Sequence, residues 1–416
     1  MLKETAMQGG CPARGGNVPL PLDRSLPRTA SYEDGVAVLK SAAFSSDIFD
    51  ENAGLLGGTL LGSDGERHRS LKRVEGALFG SGHLEYYEKS ILGRVIVEEL
   101  ETAKLGNRSA AGVVQVDLIP FVRRMALRIS AHVVGLDDLD AEHLTMLTGM
   151  LGQLADGILI QWSTRDHGEV MREALQTKQE FWDQFVQKAL GRRRALHAEG
   201  KLEKKDLLSV IVADETLPWS DDEILKESLL YMAAAAFTTS TAVTHSIAEL
   251  LAWFSEHPED RALDRDKDFL RVAAMESLRV HPGRHVLIRS CIQDTTMPDG
   301  RPVSKGEYVL VDCFEANMDR NAYGDDAEAF NPRRVPAKGA LPYGLSFGAG
   351  RHLCLGKPLV LGTPDGRGSD VRDGTVTLLL SGLFGAGVAA DPEHPPVRPD
   401  SVHDRYESYP VLLAKL

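Results

Sequence analysis

The sequence predicts a mainly α-helical protein with a small β part. Apolar residues recur at helical spacing through the middle of the 416-residue chain, which places them on one face of a helix. After Pro282 the pattern changes to short apolar runs that end at glycine-containing turns, as is typical of strands. Hydrophobic residues make up 43% of the chain and charged residues 26%, as in globular proteins with a substantial core.

Six segments carry the helical pattern. They are Tyr86–Glu101, Asp117–Val134, Ala141–Ile160, His167–Gly191, Ser220–His257 and Phe269–Val280. The fifth has the clearest boundaries, because Ser220 is a capping residue followed by three acids and Pro258 cannot continue the helix. We divide the chain into a short irregular N-terminal segment, residues 1–30, and one large domain, residues 31–416.

The β part follows Pro282. We place short strands at Val286–Cys291, Arg301–Val303 and Tyr308–Cys313, with turns at the dipeptides Asp299-Gly300 and Lys305-Gly306. Residues 316–346 are rich in Asn, Asp, Pro and Gly, and we interpret them as an ordered meander. Helices followed by a few strands indicate one mixed domain.

Charge and hydropathy narrow the class of function. The net charge of −13 argues against general nucleic-acid binding. No apolar run has the roughly 18 residues of a membrane span, since polar residues interrupt Leu229–Phe254. Met1–Pro19 lacks the apolar stretch of a signal peptide. We therefore expect a cytoplasmic protein that binds neither nucleic acid nor a membrane. We also expect a monomer, although the sequence itself does not give the oligomeric state.

Cys354 has different surroundings from Cys11, Cys291 and Cys313. None of these residues forms a CxxC pair, which argues against zinc and dithiol chemistry. Cys354 lies in a loop, residues 347–356, whose glycines allow tight turns that hold a sulfur rigidly under a flat cofactor. Amide groups directed at that sulfur stabilise a thiolate, which is a ligand for haem iron.

This loop carries a resemblance to a known family. Its pattern, with Phe347, Gly350, His352, Cys354 and Gly356 at their observed spacing, resembles the haem-binding signature of the cytochrome P450 family. The resemblance implies the triangular helical fold of that family and haem b (iron protoporphyrin IX) as the cofactor. It also implies that Cys354 is the axial iron ligand. Phe347, Gly348 and Gly356 would then shape the loop around the haem.

A second motif supports the first. Glu276 and Arg279 lie three positions apart, where they share one helix face and can pair. By themselves they are equally consistent with a surface ion pair. The stretch is also similar to the ExxR motif of the family, and Arg279 precedes Cys354 by the 75 positions that the family shows. Phe330–Arg334 resembles the meander of the family, which implies that Arg334 joins Glu276 and Arg279 in a buried network bracing the cysteine loop.

The resemblance also implies cations for the two haem propionates. Residues 64–73 resemble the C-helix of the family, in which His68 matches a histidine and Lys72 stands where an arginine is usual. Arg73 is adjacent and can substitute for Lys72. Arg289 and His352 match two further propionate-binding positions.

A basic patch is expected on the cysteine side of the haem. It consists of Arg67, Arg69, Lys72, Arg73, Arg351 and Lys357. On an acidic protein such a patch suits the docking of an acidic electron donor, a ferredoxin supplied by its reductase. The alternative is an ordinary solvated charged face.

The long central helix departs from the family. The family carries an acid followed by a threonine over the oxygen site, where both organise proton delivery. Here the stretch is Ala233–Thr241, and it contains no acid. In one register Phe237 replaces the acid and Thr238 is the alcohol; in another Thr238 replaces the acid and Thr239 is the alcohol. Counting back from His257 points to a third register near Thr241.

The N-terminal part of the chain and the part after Cys354 also differ from the family. Ser31–Lys40 resembles a segment that the family places some tens of residues later in the chain. The helix after Cys354, Gly356–Leu361, meets a breaker at residues 362–368 and resumes over Val371–Phe384, whereas the family's helix there is usually continuous.

The resemblance implies a monooxygenase that inserts one oxygen atom from O2 into a small, largely apolar organic substrate, with Thr238 or Thr239 in proton delivery. Because the acid is missing, a peroxide-dependent enzyme or a non-oxygenating enzyme that couples or rearranges its substrate is the alternative. A haem-based sensor is a third possibility, although no output domain is recognisable in the sequence.

Overall fold

The structure is a computed structural model that describes residues 26–46, 51–363, 371–399 and 405–416. Its helices are α1 Tyr32–Lys40, α2 Ala53–Leu56, α3 Gly65–Glu75, α4 Ser81–Tyr87, α5 Gly93–Ala103, α6 Leu118–Val134, α7 Ala141–Ile158, α8 His167–Phe181, α9 Gln187–Ala198, α10 Leu207–Val212, α11 Asp221–Glu256, α12 Lys267–Val280, α13 Cys313–Asn317, α14 Arg320–Tyr323, α15 Lys357–Leu361 and α16 Thr375–Gly385. Its strands are β1 Arg28–Thr29, β2 Phe44–Ser45, β3 Val114–Asp117, β4 Val286–Cys291, β5 Thr295–Thr296, β6 Pro302–Val303, β7 Tyr308–Asp312, β8 Val388–Ala390 and β9 Pro410–Leu413.

Helix α11 runs through the centre of the protein and joins two hydrophobic cores. It begins at a capping box, in which the Ser220 hydroxyl accepts the N–H of Glu223 and the Glu223 carboxylate accepts the N–H of Ser220. Leu229 and Met232 in its first half pack in the core formed with α7 to α10. Ile247 and Leu250 in its second half pack with α5, α6, α12 and α16. Because both halves of α11 are packed in a core, the residues midway along the helix are held in fixed positions.

The strands form small sheets at the edges of the helical body. One sheet has the order β1-β7-β4-β2, with β1 parallel to β7 and the other pairs antiparallel. A second has the order β3-β9-β8, and β5 pairs with β6. Val309 and Val311 of β7 are fully buried against α1 and α13, so the first sheet is anchored to the chain that leads into the cysteine loop.

The prediction of a mainly helical protein with a small β part is confirmed. Each of the six predicted segments forms a helix, and β4 has the predicted bounds. The fourth segment is longer than predicted, since it passes through a π-helical turn at Trp182–Val186 and continues to Ala198. Among the described residues no helix is long and apolar enough to cross a membrane.

Several boundaries were predicted wrongly, of which three are informative. The helix expected at Val371–Phe384 starts at Thr375, because Gly374 before it has a left-handed φ of 82°. The strand expected at Tyr308–Cys313 ends at Asp312, whose carboxylate accepts the N–H of Glu315 and caps α13. Arg28 and Thr29, assigned to an irregular N-terminal segment, pair with β7; two residues carry no periodicity from which a strand can be read.

Candidate functional site

The cysteine loop is held by backbone contacts that require glycine. The N–H of Cys354 donates to the carbonyl of Phe347 at 2.9 Å, which closes the loop. Gly348 and Gly350 have φ values of +67° and +70°, which side chains disfavour. A Cβ at Gly350 would also lie 2.6 Å from the carbonyl oxygen of Leu39 in α1. The loop therefore rests directly on the α1 backbone, and the sulfur position follows from that contact.

The Cys354 thiol is accessible on one side and surrounded by donors on the other. Burial raises its pKa, while hydrogen bonds from the N–H groups of Gly356 and Lys357 and the charges of Lys357 and Lys72 lower it. The residue nevertheless has an exposed surface. A sulfur with amide donors behind it and open space in front is arranged to bind a metal ion as a thiolate.

Glu276, Arg279 and Arg334 form a buried network next to this loop. Arg279 donates from Nε to Glu276 Oε2 at 2.8 Å and from Nη2 to Oε1 at 2.7 Å. Arg334 donates from Nε to Glu276 Oε1 at 2.8 Å. Their side chains are between 0% and 5% exposed, so the three predicted residues form a single desolvated group, not a surface pair.

Asn317 connects this network to the loop. Arg279 Nη1 donates to the Asn317 carbonyl at 2.6 Å, and the Asn317 amide nitrogen donates back to the Arg279 carbonyl at 2.9 Å. Its side-chain oxygen accepts the N–H of Leu345 at 2.7 Å, two residues before Phe347. Gly344, with φ +59°, leaves no room for a Cβ, which would lie 2.1 Å from that oxygen. Sequence reasoning missed Asn317, because a single asparagine in a meander carries no pattern.

The predicted propionate-binding residues come together on the other side of the loop. The rings of His68 and His352 lie 4.0 Å apart between centroids. Burial, followed by the charge of His68, lowers the pKa of His352 to about 4. The Lys72 ammonium donates to the carbonyl of Arg351 at 2.5 Å, so α3 is joined to the cysteine loop. Arg73 is exposed on the outer face of α3.

Arg289 is a buried cation without an ion-pair partner among the described residues. Its side chain is 8% exposed, and Nη1 donates to the carbonyl of Ile288 at 2.7 Å. Among the described residues no carboxylate lies within ion-pair distance of it, and burial lowers its pKa to about 10. A desolvated guanidinium without a partner is unfavourable unless an anion joins it. Together with His68, His352 and the Cys354 sulfur, it fits the propionates and iron of a haem.

The central helix has an open side halfway along its length. Ala234 and Thr238 are exposed and Thr241 is half-buried, although Ala236 and Ser240 between them are buried. These three positions share one helix face. The Thr238 hydroxyl donates to the Ala234 carbonyl at 2.6 Å.

The open side argues against one of the registers left open by the sequence and is compatible with those that use Thr238 or Thr241. Thr239 is 6% exposed, so in the register that uses it as the alcohol this residue faces away from the open side of α11. With Thr238 as the alcohol, Phe237 occupies the position of the acid. The Phe237 ring packs against the Arg123 guanidinium at 4.9 Å, so a cation–π contact occupies this position in the absence of an acid.

Two buried carboxyl groups, which the sequence did not predict as functional residues, lie close to Tyr231 of α11. Glu75 and Glu227 are 0% and 1% exposed. Burial raises the pKa of both groups, and Tyr231 donates to Glu75 Oε2 at 2.9 Å. Glu227, Tyr231, Ala234 and Thr238 share one face of α11. Glu227 occupies a position of α11 where the helical pattern calls for an apolar residue, and this feature of the sequence could have revealed it.

The predicted basic patch is partly neutralised. Arg67 forms an ion pair with Glu223 at 2.7 Å, and Arg69 forms an exposed one with Glu66 at 2.5 Å. Arg351 donates to the Phe44 carbonyl at 3.0 Å. Lys357 lies over the Tyr343 ring at 5.6 Å. Arg73 remains as an exposed cation of this patch.

The chain resembles cytochromes P450 in sequence. The family described as "Cytochrome P450" matches residues 268–360. The C-19 steroid 1alpha-hydroxylase of Sorangium cellulosum is 27% identical over 405 residues, which cover 92% of this chain and 87% of that protein. Cytochrome P450 4F4 of Rattus norvegicus is 26% identical over 232 residues, or 47% of this chain and 43% of that protein. The chain thus spans less than half the length of several of the curated relatives it matches.

Solved structures show the same fold. The crystal structure of CalO2 matches with a TM-score of 0.72 and 22% identity, covering 94% of this chain and 91% of that chain. A mutant of P450 EryK in complex with erythromycin B matches with a TM-score of 0.68 and 20% identity, covering 94% and 92%. The predicted fold is therefore confirmed.

Proposed function

We propose that the chain is a haem-thiolate monooxygenase of the cytochrome P450 family, which its sequence resembles, and that it inserts one oxygen atom from O2 into a small, largely apolar organic substrate. The observation that carries the proposal is the Cys354 sulfur, accessible in front and surrounded by amide donors behind. Haem b is the cofactor of the family and fits these residues. When bound, it supplies a thiolate-ligated iron for oxygen activation.

The residues around the cleft have separate tasks in this proposal. Cys354 would supply the thiolate that binds the haem iron. Arg289, His68, His352 and Lys72 would hold the propionates, and Arg289 gains the anion it lacks. The Glu276 network keeps the loop rigid from the opposite side through Asn317. Thr238, on the open side of α11, holds a hydroxyl where a proton must be delivered.

The electron source is a ferredoxin-type protein in this proposal. An acidic ferredoxin suits the exposed cations next to the cysteine loop, of which Arg73 lacks an ion-pair partner among the described residues. A diffusible donor would bind this surface briefly, and its association would weaken with ionic strength.

A peroxide-dependent or non-oxygenating reaction is the second candidate. It is favoured by Phe237, which puts an apolar ring against Arg123 where the family has an acid for proton delivery. Hydrogen peroxide carries its own protons and electrons, so an enzyme that uses it needs no acid at this position.

A spectrum and a turnover comparison test these proposals. The reduced protein with carbon monoxide is expected to show the long-wavelength band of a thiolate-ligated haem, and Cys354→Ala is expected to abolish it. A native protein without that band contradicts haem-thiolate function. Product formation with reduced ferredoxin, lowered at least tenfold by Thr238→Ala and much less by Thr239→Ala, supports monooxygenation. Turnover with peroxide alone supports the second candidate.

A further inference from the structure

Arg284 is a second cation without an ion-pair partner among the described residues, and it follows Gly283, which lies beside the open side of α11. It follows α12 in the segment that leads to β4, and its side chain is half-buried. Among the described residues, no hydrogen-bond acceptor or carboxylate lies within bonding distance of its guanidinium. Burial alone accounts for the lowered pKa of Arg284, with no contribution from a neighbouring charge. The group stays protonated, since arginine does not lose its charge in proteins.

The neighbours of Arg284 place it beside the open side of α11. A Cβ at Gly283 would lie 3.8 Å from Cγ2 of Thr238. A few residues on, the Leu287 side chain is 3.9 Å from a Cβ built on Gly348 in the cysteine loop. The segment from Gly283 to Leu287 therefore forms a wall between Thr238 and that loop. Four extended residues span about 13 Å at most, so Arg284 lies within reach of both.

Arg284 is separate from the propionate-binding residues. Burial lowers the pKa values of His68 and His352. The charges of Asp64 and Arg351 act on both histidines. Arg289 interacts with Asp64 and Arg351 in the same way. Burial is the one cause of the lowered pKa of Arg284, with no contribution from any of these groups. Two propionates already have several donors in that cluster without Arg284.

No acid from the central helix neutralises this cation. In the register that puts Thr238 on the open side, Phe237 stands where an acid would be, and its ring packs on Arg123. The cleft therefore combines an unpaired guanidinium with an α11 face that carries no negative charge between Ala234 and Thr241. A negatively charged ligand group would meet attraction from Arg284 and no repulsion from that face.

We propose that Arg284 binds a carboxylate of the substrate and orients the rest of the molecule toward Thr238. This inference rests on the proposed function and gives it a substrate class, organic acids with an apolar body. A guanidinium matches a carboxylate with two parallel N–H···O bonds, which fix both position and angle. The neighbouring apolar residues Ala234 and Ala235 would contact the hydrocarbon part.

The test is a binding measurement on the purified haem-loaded protein. Hexanoic, decanoic and hexadecanoic acids are titrated beside their methyl esters, and the shift of the haem absorption band yields a dissociation constant for each. In the native protein at least one acid is expected to bind ten to a hundred times more tightly than its ester, the range for a charge-assisted pair in a dry site. Equal binding within every pair, or no binding of any acid, overturns the inference.

Variants separate Arg284 from the other cations. Arg284→Leu is expected to remove the preference for the acid while leaving the affinity for the ester within about threefold, since the apolar contacts stay. Arg284→Lys keeps the positive charge but lacks the two parallel N–H donors of the guanidinium, and it should retain part of the preference for the acid. Arg172→Leu, at an exposed arginine of α8, is the matched control and should behave as the native protein. A preference that survives in Arg284→Leu contradicts the proposal.

Two further readouts prevent confusion with folding or haem retention. The rate at which haem passes to excess apomyoglobin should be unchanged in Arg284→Leu; faster release with the acid preference intact would make Arg284 a propionate ligand and overturn the inference. The carbon monoxide spectrum reports on the proposed function separately. A thiolate-type band together with equal binding of acids and esters rejects the substrate class and leaves the haem-thiolate enzyme standing.

Discussion

Two groups of charged residues lie on either side of the cysteine loop, and they differ in how burial is compensated. Next to α12, Glu276 accepts hydrogen bonds from Arg279 and Arg334 in a space without solvent. On the segment that leads from α12 into β4, Arg284 and Arg289 have no carboxylate within ion-pair distance among the described residues. The first group is complete in the protein alone, whereas the second becomes favourable when a ligand brings negative charge.

This difference distinguishes charges that stabilise the fold from charges that are available to bind a ligand. Charges that are fully paired inside the protein stabilise one loop position and have no capacity left for binding. An unpaired buried cation lowers the stability of the ligand-free protein and persists where a bound anion offsets that cost. Glu75 and Glu227 show a third solution, in which a buried carboxyl group keeps its proton.

The largest effect is expected where a paired charge loses its partner. Arg279→Leu leaves the Glu276 carboxylate with half of its donors and frees the Asn317 and Ala327 carbonyls that Arg279 binds. Breaking a buried pair on one side costs about 3–5 kcal/mol. Urea unfolding and haem content measure this loss. The exposed pair Arg69–Glu66 is the control, and an Arg69→Ala variant as unstable as Arg279→Leu would contradict the comparison.

The protonated carboxyl group predicts a pH-dependent stability. Burial raises the pKa of Glu75 to about 8, above its usual 4.5. The folded protein therefore holds a proton that the unfolded chain releases, so this contribution is complete below pH 4.5 and is lost as the pH rises through 8. Between these values Glu75 lowers the free energy of unfolding by roughly 2–4 kcal/mol. Glu75→Gln should flatten this slope in urea titrations at pH 5 and pH 8; an unchanged slope contradicts a protonated Glu75.

An unpaired cation is expected to affect cofactor retention more than the fold. Arg289→Met removes a desolvated charge and keeps much of the side-chain volume. Haem transfer to apomyoglobin should become about tenfold faster, the effect of losing one charge-assisted contact. The near-ultraviolet circular dichroism of the freshly purified holoprotein should match the native spectrum. If Arg289→Met is destabilised as strongly as Arg279→Leu, Arg289 stabilises the fold and the expectation is wrong.

The smallest effect is expected at the exposed surface. Arg73→Glu should slow electron delivery from ferredoxin by about two- to fivefold at low salt, and the difference should vanish at 0.5 M salt, where screening is strong. Arg172→Glu, on α8, is the matched reversal away from the cysteine loop. If both reversals slow delivery equally, Arg73 is not part of the docking surface.

Local sequence patterns were sufficient to locate the long helices and the cysteine loop. Apolar periodicity located the long helices because each buries one continuous face. Cys354, Glu276 and Arg279 were identifiable because a rigid sulfur and a helix-borne ion pair need particular residue types at short, constant spacing. The comparisons support the family that this resemblance implied.

Which charges have partners depends on contacts between elements that are distant in the sequence. Asn317 contacts Arg279 across 38 positions of sequence, and Glu75 meets Tyr231 across 156. No local pattern reports such contacts, because side chains from distant elements meet there. The same limit hid Arg284, whose type predicts a solvated surface residue. Its enclosure beside Thr238 and the loop of Cys354 makes it a candidate for binding the substrate, and that enclosure is a property of the packed elements.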